Sequence, residues 1–519
     1  MNSKTVVQGF GAVILIAVLR VWPLLSPHHS LIYHNFLPVR SMVWGLLINL
    51  GTFTLLVVLL FRYLQKSETG LRTVIWALVA AVLAPALATD VAAMQRKGLP
   101  HLYAEWLFYG TLLAALALRW LLPVAYQRAV RGFLLLLLLV GCGVVWMVPE
   151  LLYLGLRSQP RDAEVPVTRA GPPMVHGAAP GGHGRIVWLL FDELSYNQAF
   201  EHRFPGVVMP VFDKLKSDSV SFSDLKPAGY ETERVVPSFF LGHIVDDIRS
   251  NLDGEPSVQL AGQKDWQALD SHATLFADAQ RLGWTTGVVG WYNPYCRILA
   301  ATLNYCFWAG NGEWSGTTPD QTALENAMVP VMDTVRGLQS KPRFPQEERH
   351  AADLNALMPQ AEALIRDQSI DFVFIHLPLP HPPGIYDQRP GHQRNTRNYI
   401  DNLGLTDEVL GELLNSLNAT SSAAETTVIL CSDHSWRIPL WRSTPQWSKE
   451  EEAASHGFFD KRPVLMIHFP GQTRERDITV PFEEIRIHDI IERMLRGEEP
   501  DFGKSLLAGG TALPITAKP

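Results

Sequence analysis

Apolar positions are spread unevenly along the chain. Five long apolar runs occupy about residues 9–25, 42–61, 73–93, 106–122 and 133–153. About 20 consecutive apolar residues, wound as a helix, cover the hydrocarbon core of a bilayer. The run at 42–61 does this with no charged residue, and the other four carry one near an end: Arg20, Asp90, Arg119 or Glu150. Charges near helix ends reach the interface, so they are tolerated there. The pattern predicts a transmembrane domain over residues 1–154 with about five helices. An interfacial placement of one of the weaker runs stays open. A cleaved signal peptide is not expected, because no small-residue cleavage site follows the first run and four more runs come after it.

Orientation follows from the basic residues of the short loops. With the N-terminus inside, Lys4, Arg62, Lys66, Arg72, Arg128 and Arg131 lie inside, and Arg40, Arg96 and Lys97 lie outside. Five crossings then place everything after Tyr153 outside, which predicts a multi-pass protein of the bacterial cytoplasmic (inner) membrane with its larger part on the periplasmic or extracytoplasmic side.

Beyond the fifth run, residues 155–184 are rich in Pro, Gly and Ala and have no periodicity, as expected of a flexible linker. From Arg185 the pattern changes. Short apolar runs at 185–191, 284–291, 371–377, 426–432 and 463–469 suit strands buried on both faces. Stretches with helical periodicity lie between them. Strands alternating with helices predict an α/β domain over residues 185–519 with a mainly parallel central sheet. Ligands in such sheets gather at the carboxyl ends of the strands.

Composition narrows the chemistry. The net charge of −7 gives no reason to expect nucleic-acid binding. Of four cysteines, Cys296 and Cys306 share one short stretch, and two readings stay open: an extracytoplasmic disulfide, or two buried thiols. Three expected strand ends carry polar residues: Asp192 and Glu193 after the first, His376 within a second with His381 five residues on, and Asp433 and His434 after a third. A fourth imidazole, His456, precedes a strand. Carboxylates mixed with imidazoles suit zinc or manganese, with magnesium or calcium as further candidates. Singly, each residue also reads as a helix cap or a structural histidine.

Together these motifs resemble the alkaline phosphatase/sulfatase superfamily over about residues 185–495, and most of all its membrane-anchored branch, the phosphoethanolamine transferases and lipoteichoic acid synthases. The resemblance implies Asp192, in Leu-Leu-Phe-Asp-Glu, as a metal ligand and Asp433 and His434, in Ser-Asp-His, as two more; Glu193 is a ligand or lies just outside the shell. His381, in His-x4-His-x-Pro, and His456, followed by Gly, are implied to bind substrate. The Cys/Ser-x-Pro-x-Arg motif of sulfatases is absent. In the membrane transferases a threonine lies five residues before a proline, and Thr232 stands so before Pro237, which implies Thr232 as nucleophile; a capping threonine is the plain alternative. Arg234 reads equally as a phosphate contact or as the partner of a nearby glutamate. Ser435 and Trp436 depart from the glycine that usually follows the Asp-His pair.

The activity implied is transfer of a phosphoethanolamine or phosphoglycerol head group from a membrane phospholipid to an envelope glycan or lipid through a threonine ester. A phosphate- or sulfate-ester hydrolase on the same scaffold is the second reading. A catalytically inactive module for envelope polysaccharide assembly is the third.

Overall fold

The computed structural model describes residues 3–26, 28–34, 39–66, 69–94, 101–157, 184–309, 321–338, 345–386, 398–444, 447–457, 459–498, 500 and 502. Most of the expected linker lies outside the described residues. The chain forms two compact units, one over Met1–Ala163, Gly312–Pro342 and Leu440–Trp447, the other over Glu164–Asn311, Arg343–Pro439 and Ser448–Pro519.

The first unit is helical: α1 (Ser3–Leu25), α2 (Arg40–Lys66), α3 (Thr69–Met94), α4 (His101–Leu121), α5 (Pro123–Gly141) and α6 (Val144–Arg157). By length and apolar composition, Arg40–Lys66 and the continuous stretch Pro123–Arg157 suffice to cross a membrane, and Ser3–Ala17, Thr69–Pro85 and Trp106–Leu121 are shorter apolar helices. These point to membrane association. The outward positions agree: Leu55, Leu56 and Leu59 of α2 and Leu135 and Leu139 of α5 are exposed. Close helix contact uses small residues. A Cβ on Gly11 of α1 would meet the Leu137 carbonyl of α5, and one on Gly141 would meet the Val7 carbonyl, so backbone lies on backbone there.

The second unit is built on an eight-stranded sheet. Its strands in chain order are β1 (Arg185–Phe191), β2 (Val220–Phe222), β3 (Thr286–Trp291), β4 (Tyr305–Ala309), β5 (Phe372–Leu377), β6 (Thr426–Ser432), β7 (Leu465–His468) and β8 (Arg476–Ile478). Their spatial order is β8-β2-β7-β6-β1-β5-β3-β4. The run from β6 to β4 is parallel, and β7 pairs antiparallel with both β6 and β2. The mainly parallel α/β expectation is met. All seven residues of β1 are buried, as an apolar run in a central strand requires. Trp188 of β1 packs among Phe239, Phe240 and Phe374 with ring centroids 6.2, 6.1 and 4.7 Å away. The Cys296–Cys306 disulfide is formed, tying the connection after β3 to strand β4.

Candidate active site

Register decides what meets at the edge of the sheet. Phe191 of β1 pairs with Ser432 of β6 on one side and Leu377 of β5 on the other. The next residues, Asp192 and Asp433, therefore emerge side by side. Ligand atoms of Asp192, Asp433 and His434 all lie within 4.8 Å of one another, and all three residues are buried. His434 Nε2 is 3.2 Å from Asp433 Oδ2 and 3.8 Å from Asp192 Oδ1. His376 Nε2, from β5, is 3.7 Å from Asp192 Oδ2.

The loop ends are stitched together. Leu194 N–H donates to Ser432 Oγ at 2.8 Å, and that hydroxyl donates to the His434 carbonyl at 2.7 Å. Glu193 N–H donates to Asp433 Oδ1 at 3.2 Å, and Tyr399 O–H donates to the Glu193 carbonyl at 2.8 Å. Glu193 sits at φ 63°, a left-handed conformation that costs a residue with a Cβ and persists only where its surroundings hold it. Tyr399 in turn stacks flat on Trp436, with centroids 4.3 Å apart.

Thr232 is the first residue of α7 (Thr232–Leu241). Its hydroxyl donates to Asp192 Oδ2 at 3.3 Å and lies 3.4 Å from His434 Nε2. Asn293 Nδ2, after β3, donates to the Thr232 carbonyl at 3.2 Å and fixes the start of the helix.

The donor set fits a divalent cation. His434 Nδ1 lies 3.1 Å from the Ser435 carbonyl, which places the proton on Nδ1 and turns the Nε2 lone pair toward the carboxylates. Burial, and then Arg437, hold the His434 pKa well below the usual range, so the imidazole is neutral. Burial pushes the Asp433 carboxyl up, against His376 and the Thr232 hydroxyl. A neutral imidazole facing buried carboxylates is an arrangement that a cation stabilises. Asp433 Oδ2 and His376 Nε2 make no hydrogen bond of ordinary geometry.

Other expected site residues are placed differently. Glu193 Oε1 is paired with Arg437 Nε and lies 4.0 Å from His434 Nδ1, so its carboxylate is turned to a guanidinium and not into the cluster. Arg437 Nη2 also lies 3.2 Å from His381 Nε2, and Nη1 donates to the Tyr230 carbonyl at 3.4 Å. His381 is thereby joined to the site through Arg437. Arg234 faces Glu231 at 3.2 Å and Asp247 at 3.5 Å, so of its two readings the structure shows carboxylate pairing. His456 is exposed, its ring against that of His202 at 5.7 Å. The left-handed turn at His456 (φ 47°) and Gly457 (φ 74°) carries it there, and the structure does not bring it to the cluster.

Two residues that the sequence reading missed complete the site. Arg437 follows the Asp-His pair by three and four positions, directly after the unusual Ser435-Trp436. Burial works against its charge, but Glu193, Asp192 and Asp433 outweigh burial and hold its pKa above the ordinary arginine range. Glu193 is wholly buried and Arg437 only partly so. Removing one partner of such a pair strands the other's charge, at a typical cost of about 3 kcal/mol. We expect Arg437→Met to destabilise the protein by that order and Glu193→Gln added to it to recover most of the loss, with metal content unchanged in the double variant. Urea unfolding and elemental analysis check this; loss of metal on Glu193→Gln alone would make Glu193 a ligand after all.

The second is His350, on the helix Pro345–Arg366, whose ring stacks on His381 at 5.8 Å with Trp291 edge-on to both. Burial pushes the His350 pKa down from 6.5 to about 4, partly opposed by the Pro378 carbonyl, and His376 is pushed equally far down by burial. The folded chain refuses a proton that the unfolded chain accepts, so stability is lost as pH falls from 6.5 toward 4. For His350 the full effect is roughly 3 kcal/mol. Melting temperatures between pH 7 and 4.5 are expected to fall less steeply for His350→Phe than for the parent; parallel curves would assign the fall elsewhere.

Carboxylates, imidazoles and a hydroxyl converge at the carboxyl edge of a largely parallel sheet, the edge where such folds hold their ligands, and a sequence-profile match places the chain in the alkaline phosphatase superfamily. The chain belongs to the sulfatase family, whose sequence profile matches residues 185–487. It is thus an enzyme of the sulfatase-like type, a family that is typically metal-dependent. Solved structures similar to it include a sulfatase from Pseudoalteromonas sp., 14% identical over 61% of this chain and 68% of that one, with a TM-score of 0.43. A phosphonate monoester hydrolase of Agrobacterium radiobacter is 13% identical over 62% of this chain and 78% of that one, TM-score 0.37. An alkaline phosphatase superfamily protein from Vibrio parahaemolyticus is 13% identical over 61% and 67%, TM-score 0.38. No curated protein matches the chain.

Proposed function

We propose that this protein transfers a phospho-head group, of phosphoethanolamine or phosphoglycerol type, from a membrane phospholipid to an envelope glycan or lipid, with Thr232 as the nucleophile. The observation that carries this reading is the position of Thr232 Oγ1, 3.3 Å from Asp192 and 3.4 Å from His434 at the start of a helix. The apolar helices of the first unit support a lipid donor, because they would keep the enzyme beside one. In this reading five crossings of the cytoplasmic membrane, with the N-terminus inside, put residues 185–519 on the periplasmic side, joined to the transmembrane domain of residues 1–154 by the linker at 155–184.

Asp192, Asp433 and His434 would hold one divalent cation, zinc or manganese by their donor types. When bound, the cation lowers the pKa of a hydroxyl and screens charge on phosphoryl oxygens. The chain's own residues do the rest. Asp192 takes the hydrogen bond of the Thr232 hydroxyl and aims its oxygen. Arg437 Nη2 donates to His381 Nε2 and orients that imidazole. Arg437 itself adds a positive charge beside the cluster. In the first step the Thr232 oxygen gives up its proton and bonds to phosphorus, the bond from phosphorus to the diacylglycerol oxygen breaks, and that oxygen takes up a proton. In the second the oxygen of an acceptor hydroxyl bonds to the same phosphorus and gives up its proton, the bond from phosphorus to Thr232 breaks, and the Thr232 oxygen takes up a proton.

Hydrolysis of the same ester, with water as acceptor, is the second reading, favoured by the sulfatase-family match. The convergence of four reactive residues speaks against an inactive assembly module. The test is mass spectrometry of the full chain in vesicles of phosphatidylethanolamine and phosphatidylglycerol. A head-group mass on the Thr232 peptide is expected, with transfer to added glycan or lipid acceptor. Release of free head group at the same rate with or without acceptor would make the enzyme a hydrolase, and a label on any other residue would remove Thr232.

A further inference from the structure

Two stretches of sequence that lie within the sulfatase-like region fold with the helical unit, Gly312–Pro342 and Leu440–Trp447. The first contains α8 (Ala323–Leu338). Its start is specified locally: Thr322 N–H and O–H donate to Glu325 Oε2 at 2.7 and 2.8 Å, and Glu325 N–H donates back to Thr322 Oγ1 at 3.2 Å. This is a capping box. One face of α8 is seated on α2. Asn326 is fully buried and Ala327 nearly so, and Asn326 Nδ2 lies 3.4 Å from Ser41 Oγ. A Cβ on Gly45 would come within 2.6 Å of Asn326 Cβ, so glycine is needed for the two helices to touch.

On the opposite face three described positions are apolar and open, beside Glu325, whose carboxylate the capping box holds. Leu324, Met328 and Met332 are 70%, 44% and 46% exposed, at successive steps of four residues. Such spacing aligns side chains in one stripe, about 12 Å long.

What covers the stripe follows from where α8 sits. It packs at the Arg40 end of α2, against Ser41 and Gly45, and the exposed apolar positions of α2 begin one turn further on, at Ile48. Gly155 of α6 touches Val43 and Trp44, so the end of α6 that leads to the sulfatase-like region is at this same level. Exposed aromatics collect there: Trp22 near the end of α1 and Tyr153 near the end of α6. Aromatic rings concentrate where acyl chains meet head groups. Leu440–Trp447, which also folds with this unit, has the composition of such a level, with Arg442 lying over the Trp447 ring at 5.8 Å.

We propose that α8 is an interfacial helix whose Leu324–Met328–Met332 stripe lies in the head-group/acyl boundary of the bilayer. The partner is the lipid surface itself. A helix so placed buries its apolar face a few ångströms below the head groups and keeps its polar face outward. Because residues of the sulfatase-like region flank α8 on both sides in sequence, the contact is a tether additional to the linker at 155–184. The proposal rests on the reading of α2 as a membrane-spanning helix.

The test uses the full chain in lipid nanodiscs of phosphatidylethanolamine and phosphatidylglycerol. Cys142, the exposed free thiol, is replaced by Ser; Cys431 is buried and the other two cysteines are bridged. Single nitroxide labels are placed at positions 324, 328 and 332, at Leu56 as an acyl-chain reference and at Val480 as a water reference, both of them exposed apolar residues. Labels on α8 are expected to be relaxed several-fold more by oxygen, relative to a water-soluble nickel chelate, than the label at 480, and less so than the label at 56. Nickel access on α8 equal to that at 480, with 56 still lipid-like, overturns the proposal alone. Nickel access at 56 as well overturns the spanning reading and the proposal with it. Spin–spin broadening that vanishes on dilution with unlabelled protein would assign the stripe to a second copy of the chain.

Discussion

Thr232→Ala is expected to lower turnover at least about 10³-fold while leaving the fold and the metal content intact. The size follows from the role. A nucleophile that opens a two-step path has no neighbour to replace it, and among the described residues the Thr232 hydroxyl is the one set between Asp192 and His434. The small structural cost follows from the setting. The hydroxyl makes long hydrogen-bond contacts, 3.3 Å to Asp192 and 3.4 Å to His434, each worth about 1 kcal/mol net or less, and the methyl group of Ala keeps the first position of α7 helical. Thr232→Ser, which keeps an oxygen at the same place, retains part of the activity. Steady-state rates together with melting temperatures check the pair. Full activity in the Ala variant would end the assignment of Thr232.

Asp433→Asn is expected to abolish stoichiometric metal binding and with it activity, to raise the stability of the metal-free protein and to remove the stability that metal adds. Asp192, Glu193 and Asp433 are all wholly buried, and Arg437 forms an ion pair with Glu193. In the metal-free protein, exchanging a buried carboxylate for an amide removes like-charge repulsion and a desolvation cost. The metal-free variant is therefore more stable than the metal-free parent. Adding zinc or manganese raises the melting temperature of the parent, by the linkage of binding to folding, and leaves the variant unmoved. A chelator returns the parent to its metal-free value. Calorimetry with and without metal reads all four states. A variant that still binds one equivalent of metal and melts with the parent's increment would take Asp433 out of the ligand set.

Arg437 shows where a reading of sequence ends. Asp192, Asp433 and His434 announce themselves because each follows an apolar run long enough to be a buried strand, and polar residues at strand ends are a local pattern. Arg437 carries no such mark; its function comes from Glu193, 244 positions away. His350 was hidden further, since it lies in a helix that the reading did not anticipate and acts through a ring stacked on His381. His456, which the family resemblance implies as a substrate contact, stands exposed against His202 on a left-handed turn that strand-end patterns do not encode.

The sequence by itself determined the parts set by short-range periodicity: the apolar helices of the first unit, the alternation of strand and helix after Arg185, and the residues that end β1, β5 and β6. Hydrophobic spacing fixes these because each element must bury a face whatever its neighbours are. The tertiary structure decided what depends on pairing between distant segments. The register of β1 against β6 and β5 set Asp192 beside Asp433, a pairing across 244 positions set Glu193 against Arg437, and α8 joined the helical unit although its sequence lies inside the sulfatase-like region. Such contacts depend on the packing of a whole fold, and one stretch of chain does not contain that information.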